Sequence, residues 1–167
     1  MGLYEARKFV AESYAENDLI GKQLLIAYLV GKGHVIKEET FDEDYGIDIV
    51  TEHDGQRYLF EVEMKDKYDF TDEESFPFET VSFLGRKEKW KTRKYFYCII
   101  STKTKAAIFC DSDTIFNEGY KQVIHIETYN RQGLDSFYRV PKELCQFREP
   151  KDFYKKGHKE IWDKLKG

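Results

Sequence analysis

Proline is scarce, with three in 167 residues, and methionine and tryptophan occur twice each. With so few prolines, no low-complexity tract and no internal repeat, nothing marks a linker. The chain therefore reads as one domain over 1–167, long enough to bury a sizeable core. Cysteine is limited to Cys98, Cys110 and Cys145, an odd number with no CxxC pairing. Neither a zinc site nor a disulfide framework is indicated, and a reduced, intracellular (cytoplasmic) protein is expected. No apolar run reaches the ~18–20 residues that span a bilayer, so no membrane partner is expected. The start, Met1 to Lys8, lacks the apolar centre of a signal peptide. Gly2 opens a myristoylation pattern, but Ala6 stands where that pattern requires Ser or Thr. There is no GxGxxG, no GxxxxGK[ST] and no nucleophile elbow, which leaves nucleotide-binding and acyl-transfer chemistries without support.

Aromatic residues are plentiful at 16%, and apolar residues make up 41%, a globular composition. Charge is segregated. Eight acids fall between Lys37 and Asp54, whereas Arg86 to Lys94 carries six basic residues and one acid. The net charge of −4 leaves a nucleic-acid partner open, because distribution matters more than the sum.

Residues 3–15 have helical character, and Asn17-Asp18 can cap a second helix through Leu19, Ile20, Leu24, Ala27, Tyr28 and Val30. Gly33 is expected as a left-handed stop. A short strand from His34 to Glu38 precedes an acidic loop, Phe41 to Tyr45. Ile47 to His53 and Arg57 to Lys65 flank Asp54-Gly55, a strong hairpin signal. Tyr58, Phe60, Val62 and Met64 alternate with Leu59, Glu61, Glu63 and Lys65, so the charged residues share one face. Phe78 to Trp90 is ambiguous between strand and helix. Tyr95–Ser101 and Ala106–Cys110 form a second hairpin, Val123–Ile126 suggests a strand, and Tyr154 to Leu165 a terminal helix. Mixed order of this kind predicts an α/β or α+β domain.

Two readings of the first hairpin stand side by side. Asp48, Glu63 and Lys65 can be a solvated cross-strand charge set, worth about 0.2–1 kcal/mol. Alternatively, Asp48 and Glu63 converge to offer carboxylate oxygens to one hard cation, Mg²⁺, with the Met64 backbone carbonyl as third ligand. Lys65 would then stand beside the bound water. Glu61, farther from the strand end, reads as a residue behind the metal ligands or as solvent-facing. Arg86, Lys87 and Lys89 suit phosphate contacts, although a solvated helix face explains them equally well. His34, His53, His125 and His158 show no ligand spacing.

The order helix, Asp-bearing hairpin, Glu-x-Lys, carried by Gly46-Ile47-Asp48 and Glu63-Met64-Lys65, resembles the PD-(D/E)XK nuclease superfamily, which includes restriction endonucleases and Holliday-junction resolvases. The resemblance covers about residues 18–110. Ile47 departs from the family's proline, and 111–167 is an unassigned C-terminal elaboration. It implies an α/β fold with a central mixed β-sheet flanked by helices (α-β-β-β-α-β). It also implies Mg²⁺-dependent DNA cleavage leaving a 5′-phosphate, with Mn²⁺ as substitute cation, and relatives often act as homodimers. Many members place a Glu on the first helix. The corresponding slot here holds Gln23, expected to orient the site. RNA remains open as a substrate. The alternatives are an inactive nuclease-fold module that binds nucleic acid and an acidic protein-interaction domain.

Overall fold

The computed structural model describes residues 3–42, 45–84, 94–127 and 132–167. Helix α1 runs unbroken from Leu3 to Gly31. The expected break at Asn17-Asp18 does not occur. Both residues cost a helix interior only ~0.7 kcal/mol at most, less than interrupting a continuous backbone ladder. The helix stops where expected. Gly33 adopts φ +92°, its N–H donates to Val30 O, and His34 N–H donates to Leu29 O, the paired bonds of a Schellman cap.

Strand β1 shrinks to Val35–Ile36, because Glu38–Phe41 turns into a 3₁₀ helix. Strands β2 (Ile49–His53) and β3 (Gln56–Lys65) pair with His53 opposite Gln56. Asp54 and Gly55 both have positive φ, the two-residue turn that Asp-Gly predicts. Strand β4 (Thr80–Leu84) follows, then β5 (Phe96–Ser101) and β6 (Ala107–Asp111), the second hairpin. The chain continues through α2 (Ser112–Ile115), β7 (Lys121–Glu127), β8 (Gln132–Pro141), β9 (Gln146–Arg148), α3 (Pro150–Phe153) and α4 (His158–Lys166).

The strands make two sheets, ordered β1-β2-β3-β5-β6-β9 and β4-β8-β7. The larger is mixed. Its β3–β5 pair is parallel, with Phe60 opposite Phe96 and Lys65 opposite Ser101, and every other pair in it is antiparallel. The fold is thus α/β with helices and a second sheet around a mixed sheet. Both faces of that sheet are covered. On one, Ile49, Phe60, Cys98, Ile100 and Phe109 pack against Leu24, Leu25 and Tyr28 of α1, together with Phe153 and Trp162. On the other, Val50, Leu59, Tyr97, Ile99 and Ile108 meet Val81 and Phe83 of β4 and Tyr138 and Val140 of β8. Burial on two faces explains why β5 reads as an uninterrupted apolar run. All three cysteines are buried and free, as small core residues. Among the described residues, no helix is long and apolar enough to cross a membrane.

Candidate metal centre at the end of the third strand

The β2–β3 ladder ends at Ile49 opposite Phe60. Beyond it, Val62 has no main-chain partner in β2, and its N–H donates instead to Asp48 Oδ2 at 2.9 Å. Asp48 is therefore fastened to the edge of β3 near its C-terminal end. Successive peptide groups of a strand face opposite edges. Lys65 O accepts from Thr102 N on the β5 side, whereas Val62 N–H faces Asp48. Met64, two residues after Val62, consequently turns its carbonyl toward the Asp48 edge.

Glu63 shares its face with Glu61 and Lys65, as the alternation required. Its Oε2 accepts a 2.6 Å hydrogen bond from the Tyr97 hydroxyl. Each carboxylate thus has one oxygen anchored, and neither second oxygen accepts a hydrogen bond among the described residues. Both residues are partly exposed. Two carboxylates and a carbonyl are the hard oxygen donors that suit Mg²⁺, which keeps several of its waters. No group of three or more His, Cys, Asp or Glu side chains gathers as a metal cluster among the described residues.

Lys65 is committed more firmly than the sequence suggested. Its Nζ donates to Ser82 O at 2.9 Å and lies 4.7 Å from the centroid of the Tyr68 ring. The Tyr68 hydroxyl in turn accepts from Ser82 N. Lys65 and Tyr68 together satisfy the outer edge of β4. An ammonium has three donors, and the bond to Ser82 O occupies one.

Glu61 is 1% exposed, which corrects the solvent-facing alternative and leaves the reading of a residue set behind the metal ligands. The second sheet covers it, and that sheet's strand β8 carried no signal we recognised in the sequence. Glu61 lies opposite Tyr97 in register. Burial first, then the charge of Glu61, pushes the Tyr95 hydroxyl well above its usual pKa. Tyr97, fully buried, is raised by burial, then by Glu63 and then by Glu61. Tyr97 is the site residue that sequence reading missed. The signal was its place in an apolar strand, since a buried tyrosine needs a partner for its hydroxyl.

Gln23 is buried, and its Oε1 has no hydrogen-bond partner, in keeping with the expectation of a buried polar side chain. Gly21 is the part of α1 that abuts β3, where an added Cβ would meet Met64 Cγ at 3.1 Å and Val62 Cγ2 at 3.4 Å. Gln23 lies about 200° around the helix from Gly21. Moreover, α1 covers the Val62–Met64 face, and Glu63 and Lys65 project from the other. No hydrogen bond links Gln23 to Asp48, Glu63 or Lys65 among the described residues. Arg86, Lys87 and Lys89 fall within 85–93, outside the described residues.

Comparisons with known protein families, with curated proteins and with solved structures returned no match.

Proposed function

We propose that the chain is a metal-dependent nuclease that hydrolyses DNA phosphodiester bonds, built on a restriction endonuclease-like core. The observation that carries this reading is the pair of anchored carboxylates near one end of β3, Asp48 bound to Val62 N–H and Glu63 oriented by Tyr97. The Met64 carbonyl, on the edge that the alternation of peptide groups turns toward Asp48, would be the third donor. The chain order α1, β1, β2, β3 with β3 parallel to β5 supports the core.

Asp48, Glu63 and the Met64 carbonyl would hold Mg²⁺, or Mn²⁺ in its place. A divalent cation held there supplies Lewis-acid polarisation of a phosphoryl oxygen and makes water more acidic. The chain's own groups do the rest. Tyr97 keeps Glu63 in one rotamer through a donor that stays protonated at neutral pH. Val62 N–H fixes Asp48. Lys65, held by Ser82 O and the Tyr68 ring on the same face of β3 as Glu63, would assist the attacking water and offset charge on a bound phosphate. In the reaction, a water oxygen bonds to phosphorus and gives up a proton to solvent. The bond from phosphorus to the 3′ oxygen breaks, that oxygen leaving with the bonding pair and taking up a proton from solvent, giving a 5′-phosphate and a 3′-hydroxyl.

A second reading has its own observation. The hold of Ser82 O on Lys65 is a structural task that a non-catalytic nucleic-acid-binding module would also need. The test compares cleavage of linear, circular and branched DNA, and of RNA, with Mg²⁺ or Mn²⁺, by the native chain, Lys65→Ala and Asp48→Asn. Metal-dependent cutting that is lost in both variants, with circular dichroism unchanged, supports the nuclease. Metal binding without cutting of any substrate favours the binding module, and absence of metal binding defeats the donor set.

A further inference from the structure

On the face of the large sheet opposite the carboxylates lies a pocket of about 230 Å³, walled by Phe60, Phe96 and Phe109 with Lys32, His34 and Arg148 at its rim. It opens where α1 ends, and Tyr58 stands five residues, about 17 Å, along β3 from Glu63. Its walls are aromatic and mutually braced. Phe60 and Phe96 stack at 5.7 Å, Tyr28 and Phe109 meet at 5.7 Å, and the His34 ring packs against Tyr58 at 5.3 Å. His34 Nδ1 is taken by Thr51 Oγ1 at 2.7 Å, which fixes the ring and leaves Nε2 for another partner.

The fully charged groups lining this apolar box, Lys32 and Arg148, are both cations. Lys32 Nζ sits 5.5 Å from the Tyr28 ring centroid. Arg148 donates through Nε to the Tyr28 hydroxyl, through Nη1 to Phe147 O and through Nη2 to Gln146 Oε1. These bonds aim the guanidinium but leave its charge unpaired, because no carboxylate pairs with Lys32 or Arg148 among the described residues and none lines the pocket. Two cations without counter-charge at an aromatic pocket attract an anion whose body can be stacked on rings. The volume sets the size, since an apolar cavity of about 150 Å³ accommodates benzene, and this one leaves room for a charged substituent.

We propose that this pocket binds a planar aromatic ring bearing one anionic group. The ring stacks among Phe60, Phe96 and Phe109, and the anion meets Arg148 and Lys32. The inference does not depend on the nuclease reading. An aromatic carboxylate and a nucleoside monophosphate share this chemistry, and the choice of probes separates them.

The experiment titrates the full chain by calorimetry with benzoate, 4-hydroxybenzoate, benzyl alcohol, cyclohexanecarboxylate and the four ribonucleoside 5′-monophosphates. Proton NMR of the His34 ring reports the location. Saturable binding of an aromatic anion, with a shifted His34 signal, is expected. Binding should weaken about tenfold or more in Arg148→Gln, the loss of one charge-assisted contact. Lys32 is exposed, so Lys32→Glu keeps the fold and should give a loss of similar size even if Arg148→Gln does not fold. Benzyl alcohol and cyclohexanecarboxylate should bind at least tenfold more weakly than benzoate. Tighter binding of a nucleotide than of either aromatic carboxylate assigns the nucleotide, and the reverse assigns the carboxylate. Absence of saturable binding by every probe overturns the proposal. So does equal binding of benzyl alcohol, or an affinity unchanged by Lys32→Glu.

Discussion

Replacing Tyr97 with Phe deletes one oxygen from the centre of the molecule and removes the donor to Glu63 Oε2. A hydrogen bond to a charged acceptor contributes about 1.5–3 kcal/mol. Glu63 is only half-buried and can recruit water in exchange, so the loss at pH 7 should fall near the lower bound, about 1.5 kcal/mol. The same hydroxyl has an opposite effect in alkali. Burial, Glu63 and Glu61 hold the folded-state pKa of Tyr97 well above 10.0, whereas an unfolded tyrosine ionises near 10. A group with a raised folded pKa contributes stability in full below its unfolded pKa and loses it as pH rises from there toward the folded value. Above pH ~10 the native protein should therefore lose about 1.4 kcal/mol per pH unit on account of Tyr97 alone. Tyr97→Phe lacks this loss, and every other titrating group is common to both proteins. The two stability curves should converge and cross about one unit above the unfolded pKa, near pH 11. Urea denaturation of both proteins at pH 7, 9, 10, 10.5 and 11 measures the difference directly. Curves that stay parallel from pH 7 to 11 would refute the burial of an un-ionised Tyr97, and equal stability at pH 7 would refute the bond to Glu63.

Asp48→Ala should cost about 1–2 kcal/mol, because Val62 N–H loses its acceptor, whereas Asp48→Asn keeps an acceptor oxygen and should stay within about 1 kcal/mol. Mn²⁺ titration followed by electron paramagnetic resonance should show weakened metal binding in both, and native affinity in Asp48→Asn would remove Asp48 from the ligand set. Gly33→Ala forces a side chain into φ +92° and brings Cβ to 3.3 Å from His53 Cε1. It should cost about 1–2 kcal/mol, which thermal melting would show as a drop of roughly 2–8 °C. An unchanged midpoint would deny the cap its role. Burial, and secondarily His53, hold the His34 imidazole below its usual pKa of 6.5, with Asp54 opposing. A histidine depressed in the folded state supports the fold above the unfolded pKa, so that stability should fall as pH drops from about 6.5 through the folded value. Denaturant midpoints at pH 7.5 and 5.5 should show a smaller acid loss in His34→Gln than in the native chain, and an equal loss would clear His34.

Local chemistry made much of the larger sheet legible. The Asp54-Gly55 turn needed two positive φ angles, and the sequence supplied residues that tolerate them. The period-two pattern of β3 put Glu61, Glu63 and Lys65 on one face, and Gly33 marked the end of α1. The break expected at Asn17-Asp18 failed because capping residues express only a weak preference that a continuous helix overrides.

The limits of sequence reading show most clearly around Glu61 and Lys65. Whether that charged face meets water or protein depends on β4 and β8, whose pairing joins Val81 to Val140 across 59 positions of sequence, and no local pattern encodes such a partner. Tyr97 likewise gained its role only when the parallel β3–β5 register brought its hydroxyl to Glu63. Which side of α1 meets β3 is also settled by a distant partner, through the close approach of Gly21 to Met64. The turns, the helix stop and the alternation within each strand were written in local sequence, because they follow from neighbours within a few residues. Which face is covered, and which carboxylate is oriented and by whom, emerged with the packed fold, because burial and partnership depend on segments brought together from far along the chain.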